Sequence, residues 1–222
     1  MNPYLIPIIE SFVANANPEN ARWMKKYMKE RFEFFGIKKP ERTVLQKKFF
    51  STERLPTSDD LPLVCKDLFM MKQREYQYFA IDLLGKSERN WNEKTADVLE
   101  ELIITKSWWE TVDLLAAKLA GKFFEKFPSQ IQNYTGKWNA SANIWLVRSS
   151  ILFQLNYKEK TNRDLLFNFI LPHAGSTEFF IQKPIGWSLR QYARVAPNEV
   201  IEFVNQNQLK PLSKREALKH LR

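Results

Sequence analysis

Residues 108–120 read WWETVDLLAAKLA, and the pattern in this stretch decides the class of fold. Apolar side chains recur there at three- and four-residue spacing, which predicts a helix. Two later stretches share the pattern, IWLVRSSILFQLN at 144–156 and FFIQKPIGWSLRQ at 179–191. Successive stretches begin 36 and 35 residues apart, and in this frame Trp109, Trp145 and Phe180 coincide. A loose repeat of this period is typical of solenoids built from helix pairs, such as HEAT, armadillo and tetratricopeptide arrays.

The rest of the chain also predicts helices, because the same apolar spacing continues between breaks rich in Pro, Asn, Ser and Gly. No alternating strand pattern lies between turn signals, and no linker or low-complexity run divides the chain. We therefore expect an all-α fold in a single domain over residues 1–222, in which stacked helix pairs form a curved solenoid. The predicted helices span residues 20–35, 60–84, 94–105, 108–126, 143–157, 163–171, 177–194 and 197–207.

The composition narrows the classes of function. The 222 residues carry a formal net charge of +9, which suits nucleic acid or another anionic surface, although a merely soluble basic protein is the plain alternative. One cysteine, Cys65, excludes an internal disulfide and a cysteine-based zinc site. Two histidines distant in sequence and scattered glycines give no support for a catalytic triad or a phosphate-binding loop. We expect no metal and no cofactor.

The amino terminus, MNPYLIPIIE, does not resemble a signal peptide, and no window of the sequence reaches transmembrane length. We therefore expect a cytoplasmic protein that does not associate with membranes.

Residues 106–113, KSWWETVD, place two tryptophans beside two carboxylates at the start of a predicted helix. Ser107 and Glu110 match the capping box, in which a serine at the N-cap and a glutamate three residues later satisfy each other's backbone amides. Trp109 and Asp113 are four residues apart and share a helix face, whereas Trp108 points about 100° away. We expect Trp108 in the core and the other two on an exposed face.

The repeat frame extends this face to two more helices. In this alignment Trp187 is equivalent to Ala116, which lies on the helix face of Trp109 and Asp113. Arg148 is at a position close to that face. The frame thus predicts one site formed by Trp109, Asp113, Arg148 and Trp187. Each residue also has a plainer interpretation: a tryptophan is more often core, an early aspartate often complements the helix dipole, and an arginine can cover apolar surface with its stem.

Three motifs resemble the AlkD family of bacterial DNA alkylation repair glycosylases: KSWWETVD, NIWLVRSSILFQLNYK and EFFIQKPIGWSLRQYA. The similarity extends from NPENARWMKKYMK at 17–29, through FFGIKKPER at 34–42, to PLSKREALKHLR at the end of the chain. The resemblance implies HEAT-like helix pairs around a basic concave groove that binds duplex DNA. It also implies hydrolysis of the N-glycosidic bond of N3- and N7-alkylated purines, in a bacterial, nucleoid-associated monomer that needs no cofactor.

The resemblance assigns roles to individual residues. Asp113 matches the catalytic aspartate of the family, and Trp109 and Trp187 match aromatics that flank the deoxyribose of the lesion. The resemblance implies DNA binding by Arg148 beside the lesion and by a further set elsewhere in the groove: Tyr27, Lys38, Lys39, Pro40, Phe179, Phe180 and Arg190.

Two positions depart from the family pattern. Lys38 stands where a polar amide is common, which would alter contacts with DNA. Pro184 stands where the family usually has a helix former, so the helix should lose its bond to the carbonyl of Phe180 and kink, which affects the placement of Trp187. A non-catalytic HEAT-repeat scaffold that binds DNA structures or a protein partner remains the alternative function.

Overall fold

The computed structural model describes residues 2–221, and all of its regular elements are helical, as predicted. Within the described residues the one β-type feature is an isolated bridge between Glu33 and Gln73. The helices are α1 (Ile6–Ala14), α2 (Pro18–Tyr27), α3 (Lys39–Thr52), α4 (Asp60–Met70), α5 (Arg74–Lys86), α6 (Thr95–Ile104), α7 (109–126), α8 (Ile131–Asn139), α9 (Ile144–Leu152), α10 (Arg163–Ile170), α11 (Phe179–Tyr192), α12 (Pro197–Gln206) and α13 (Pro211–Ala217).

The chain forms two compact units, one ending at Asn92 and the other beginning at Glu93. In the first unit, α1, α3, α4 and α5 bury an aromatic core around Phe79, whose ring lies edge-on to Phe12 and Phe49. The buried carboxylate of Glu75 accepts hydrogen bonds from three successive backbone amides, those of Phe35, Gly36 and Ile37, at 2.9–3.1 Å. This contact ties the loop that precedes α3 to α5.

The second unit contains the three helices of the repeat frame. Helix α9 packs against both α7 and α11, so the three stretches that share a pattern are neighbours in space. An apolar core between α9 and α11 continues to the carboxyl-terminal helices; its members include Ile151, Ile185, Leu189, Val200 and Val204. The neighbouring placement of these helices is what brings the candidate site residues together.

Helix α7 begins one residue later than the capping-box prediction requires, so that prediction is wrong. Trp108, with an extended backbone, is the N-cap, and no side-chain hydrogen bond caps the helix. The hydroxyl of Ser107 instead donates to the carbonyl of Ile103, at the end of α6, at 2.6 Å. The last four carbonyls of a helix have no donor within the helix, and Ser107 supplies a donor to one of these carbonyls in α6.

The middle of α7 is a π-helix. Residues Trp109–Asp113 are α-helical, Leu114–Ala120 form the π segment, and Gly121–Lys126 return to α-helix. A wider turn changes which residues share a face. Ala116, which a regular α-helix would place on the face of Asp113, is fully buried, so this position is not part of an exposed face.

Three other predicted boundaries are corrected. The helix expected over 60–84 is interrupted because Met71 and Gln73 have extended backbones and the amide of Arg74 donates to the carbonyl of Glu33. The helix expected over 20–35 ends at Tyr27, and that expected over 143–157 ends at Leu152. The prediction missed α1, α3, α8 and α13.

Candidate active site

The centre of the site is an ion pair between Asp113 on α7 and Arg148 on α9. Nε of Arg148 donates to Oδ1 of Asp113 at 2.6 Å, and Nη2 donates to Oδ2 at 2.9 Å. The side chain of Arg148 is 1% exposed, whereas that of Asp113 is 25% exposed. A two-pronged pair of this kind fixes the plane of the carboxylate as well as its position. The arginine is therefore the buried support, and the aspartate presents the accessible edge.

Helix α11 supplies the remaining partners of Arg148. Its Nη1 donates to the backbone carbonyl of Phe180 at 2.7 Å, and its guanidinium carbon lies 5.3 Å from the centroid of the Trp187 ring. Pro184 lies inside α11 and has no amide hydrogen to offer the carbonyl of Phe180, as the sequence predicted. A kink at Pro184 stays a prediction.

Opposing influences act on the pKa of Asp113. Burial is the largest, and it raises the pKa above its usual value because the charged form loses water. The hydrogen bonds and positive charge of Arg148 act in the opposite direction, and the negative charge of Glu110 adds to the increase. The result is a carboxylate that is more basic than an exposed aspartate.

An aromatic cluster supports the site from the core side. The Trp108 ring lies 5.1 Å from that of Phe180 and 5.8 Å from that of Trp145, and the latter two lie 5.0 Å apart. Trp108 is 9% exposed, which confirms the prediction that it belongs to the core. Trp109, one α-helical turn before Asp113, is half-buried.

The structure brings Asp113, Arg148 and Trp187 together, and Trp109 lies one turn away on α7. The other predicted DNA-binding residues differ in exposure. Phe179 and Tyr27 are 54% and 67% exposed, and the residues at the start of α3 are exposed: Lys38, Lys39 and Pro40. Phe180 is half-buried in the aromatic cluster. DNA binding by this set, and by the buried Arg148, stays a prediction.

Arg190, the last predicted DNA-binding residue, belongs to a charged cluster that the sequence analysis missed. The carboxylate of Glu216, on α13, accepts hydrogen bonds from Arg190 and from Lys183. These contacts, that of Lys183 first, lower the pKa of Glu216 to about 2. Nζ of Lys183 also lies 5.8 Å from the ring of Phe179 and 5.9 Å from that of Trp187.

A signal in the sequence pointed to Lys183 but not to Glu216. Lys183 lies four residues after Phe179 and four before Trp187, so all three share a helix face. Glu216 lies 33 residues beyond Lys183 and reaches it only through the packing of α13 against α11. Spacing within one helix therefore identifies the lysine, and tertiary structure alone identifies its partner.

Over residues 2–221, no three or more His, Cys, Asp or Glu side chains are grouped in a way that could hold a metal ion. In the same range no helix combines the length and the apolar character needed to cross a membrane.

Comparisons with known proteins agree with this architecture. None of the curated proteins compared with the chain matches it. A solved structure, described as a predicted DNA alkylation repair enzyme from Enterococcus faecalis, is 35% identical, with a TM-score of 0.87 over 93% of this chain and 96% of that one. The family model described as DNA alkylation repair enzyme matches residues 8–221. The chain belongs to the DNA alkylation repair enzyme family.

Proposed function

We propose that this protein is a monofunctional DNA glycosylase that hydrolyses the N-glycosidic bond of cationic N3- and N7-alkylated purines in duplex DNA. The observation that carries the proposal is the Asp113 carboxylate. It is one-quarter exposed, and a buried arginine fixes it through two hydrogen bonds of 2.6 and 2.9 Å. Membership in a family of DNA alkylation repair enzymes supports the class of substrate.

The chemistry of such a substrate needs few catalytic groups. An N3- or N7-alkylpurine carries a positive charge, so the bond to the sugar breaks with its electron pair moving to the base, which leaves neutral. A general acid is therefore unnecessary. Positive charge develops on the sugar, water adds to its anomeric carbon, and the water gives up a proton. A fixed carboxylate beside the sugar stabilises the developing charge, and a preorganised electrostatic contact of this kind contributes about 3–4 kcal/mol.

Asp113 keeps capacity for this role despite its ion pair. Each carboxylate oxygen has two lone pairs, so after the hydrogen bonds from Arg148 each can accept one more from the exposed side. A water held there is positioned to attack the sugar and to transfer its proton to a carboxylate whose pKa is raised by burial. Arg148 holds the geometry in place and keeps the acid ionised.

The aromatic neighbours suit the same transition state. Trp187 lies over the guanidinium of Arg148, and Trp109 is half-buried one turn from Asp113. The face of a tryptophan ring attracts a cation by about 0.5–2 kcal/mol. In the proposal the two rings flank the deoxyribose, while the net charge of +9 attracts the phosphates of the duplex. The resemblance assigns further DNA contacts to residues elsewhere in the chain, and these contacts are part of the proposal.

A specific observation favours a second candidate, a non-catalytic DNA-binding scaffold. Asp113 is already paired with Arg148, so a purely structural ion pair explains the acid without any chemistry. In that case the carboxylate would only neutralise a buried arginine.

The test is release of free base from a duplex that carries one N7-methylguanine, measured with the protein in excess. The glycosylase should release the base in a time course that depends on protein concentration. An Asp113→Asn variant should lose the activity, whereas Asp164→Asn, an exposed aspartate paired with its neighbour Arg163, should keep it. Binding of the lesion duplex with no release by the wild-type protein would favour the scaffold.

A further inference from the structure

The proline inside α11 has a consequence for Arg148. In an α-helix the amide of residue 184 would donate to the carbonyl of residue 180. Pro184 has no amide hydrogen, so the carbonyl of Phe180 has no donor at that position of the helix. In this structure Nη1 of Arg148 donates to the carbonyl of Phe180 at 2.7 Å. The acceptor that the proline leaves without its helical donor is thus the acceptor that the arginine uses.

We propose that Pro184 is a positioning residue, which frees the carbonyl of Phe180 to hold Arg148 in the plane required for its two hydrogen bonds to Asp113. The effect of Pro184 on base release rests on the function proposed above, but its effect on the geometry of Asp113 does not.

The hydrogen bonds of the guanidinium support this assignment. The group is planar, with five N–H donors in fixed directions. Nε and Nη2 meet the carboxylate of Asp113, and Nη1 meets Phe180, so contacts on two sides define the plane. Because Arg148 is 1% exposed, water cannot readily replace a lost acceptor. A change at the carbonyl of Phe180 should therefore be transmitted to Asp113.

The carbonyl of Phe180 is itself held in place. The ring of Phe180 lies 5.1 Å from that of Trp108 and 5.0 Å from that of Trp145, so packing anchors the residue. Pro184 is buried as well. The backbone at residue 180 is thus a fixed point to which the guanidinium is attached.

Restoring an amide hydrogen at position 184 should have different effects on the stability of the fold and on the position of Arg148. In Pro184→Ala the new amide donates to the carbonyl of Phe180, so α11 gains a hydrogen bond and the melting temperature stays equal or rises. The carbonyl turns toward the helix axis and holds Arg148 less well. A proline with a merely structural role would show the opposite sign, a loss of stability with no specific effect on Asp113.

The pKa of Asp113 reports this effect directly. The charged groups that act on the carboxyl are Arg148 on α9 and Glu110 on its own helix, and Lys183 lies over the Trp187 ring on α11. Of these, Arg148 is the group that donates a hydrogen bond to the carbonyl of Phe180. A weaker hold by Arg148 reduces the one contribution that lowers the pKa by hydrogen bonding, so the pKa should rise.

The primary experiment is a pH titration by NMR of protein labelled with ¹³C at aspartate carboxyls, with the Asp113 signal assigned from its absence in Asp113→Asn. We expect the pKa of Asp113 in Pro184→Ala to exceed that of the wild type, because Arg148 then holds the carboxylate less well. The matched control is Pro197→Ala, because Pro197 is the exposed first residue of α12, where the amide has no helical acceptor. A third variant replaces residue 184 by an α-hydroxy acid, whose ester also lacks the N–H, and should restore the wild-type pKa.

Single-turnover base release is the second readout. Pro184→Ala should be slower by roughly tenfold, because a displacement of about 1 Å in a catalytic group can reduce the rate by as much as a hundredfold. The acid limb of its pH–rate profile should move to higher pH, and affinity for undamaged duplex should stay unchanged.

The outcomes separate this inference from the proposed function. A wild-type pKa of Asp113 in Pro184→Ala, or an ester variant that behaves like the alanine variant, would overturn the positioning role. A raised pKa with an unchanged rate would overturn its link to the reaction. If the wild-type protein releases no base but the pKa shifts as expected, the positioning role stands and the proposed function fails.

Discussion

Asp113→Asn removes the charge of the candidate catalytic group while keeping its size. The amide that replaces the carboxylate can accept only through Oδ1, so Arg148 keeps at most one of its two hydrogen bonds to residue 113. The positive charge of Arg148 then stays buried without an ion-pair partner. The substitution should therefore affect stability and chemistry separately.

The size of each effect follows from the structure. Breaking a buried ion pair on one side typically costs about 3–5 kcal/mol. Asp113 is one-quarter exposed and Nη1 of Arg148 keeps the carbonyl of Phe180, so we expect about 2–3 kcal/mol. That loss corresponds to a decrease of about 4–12 °C in melting temperature. The rate of base release should fall by roughly 10²- to 10³-fold, the usual effect of removing one preorganised electrostatic contact.

Thermal unfolding measures the first effect, and single-turnover excision of N7-methylguanine at a temperature well below the transition measures the second. Lesion-duplex affinity should be unchanged or slightly tighter, because removing a negative charge reduces repulsion of phosphates. The loss should be larger for stable N7 adducts than for labile N3 adducts. The aspartate of an exposed ion pair supplies the control, since Asp164→Asn should shift stability by at most about 1 kcal/mol. Excision by Asp113→Asn at the wild-type rate would refute the mechanism and leave Asp113 as a structural partner of Arg148.

Three other outcomes are expected. Trp108→Ala should destabilise the fold by about 3–5 kcal/mol in thermal melts, whereas Trp109→Ala should destabilise it less and slow base release more. If Trp109→Ala instead loses more stability and Trp108→Ala loses more activity, the roles of the two tryptophans are exchanged. Glu216→Gln should lower the stability at neutral pH by up to about 3 kcal/mol, because the folded-state pKa of about 2 lies below the unfolded value. Wild-type stability from this carboxylate, held by Lys183 and Arg190, should fall as the pH decreases from about 4.5 to 2, and the variant should lack that decrease in urea titrations at several pH values. Affinity for duplex DNA should fall steeply across a salt series, and a flat response would contradict binding through phosphates.

The part of the site that could be predicted depends on local periodicity. Trp109 and Asp113 are four residues apart in one α-helical turn, and the spacings of 36 and 35 residues between the three stretches bring Arg148 to Asp113 and Trp187 to Arg148. Both kinds of spacing are visible in the sequence because helices of one repeat array pack in the same order as they occur along the chain.

Helix α3 was missed for a different physical reason. The buried positions of α3 are Arg42, Gln46 and Phe49, so two of the three carry polar side chains and hydrophobic periodicity is weak there. The guanidinium of Arg42 lies 4.5 Å from the ring of Tyr78, a contact that makes burial of the arginine possible. Such a partner comes from another helix and leaves no pattern in the segment itself.

The hydrogen bonds that Arg148 makes within the site could not be predicted from the sequence. The resemblance assigned Arg148 to DNA, whereas the structure shows its side chain between Asp113 and the carbonyl of Phe180. That carbonyl is accessible because of Pro184, which by itself predicts only a missing bond in α11. The packing of α9 against α11 decides that Arg148 is the donor to the carbonyl of Phe180, and residue spacing along the sequence does not predict this contact.

The π segment of α7 determines where this helix can lose a residue without a change in the orientation of its two ends. A ring closed by an i→i+5 bond holds one residue more than the ring of an α-helix, so Leu114–Ala120 contains a surplus residue. Deleting one residue there would leave an ordinary α-helix, with Asp113 still facing α9 and Phe123 and Phe124 still facing the core. The same deletion in the first or last turns of α7 would rotate everything beyond it by about 100°. A single-residue gap in an alignment of relatives would therefore belong between positions 114 and 120, where the helix can absorb it without moving the carboxylate.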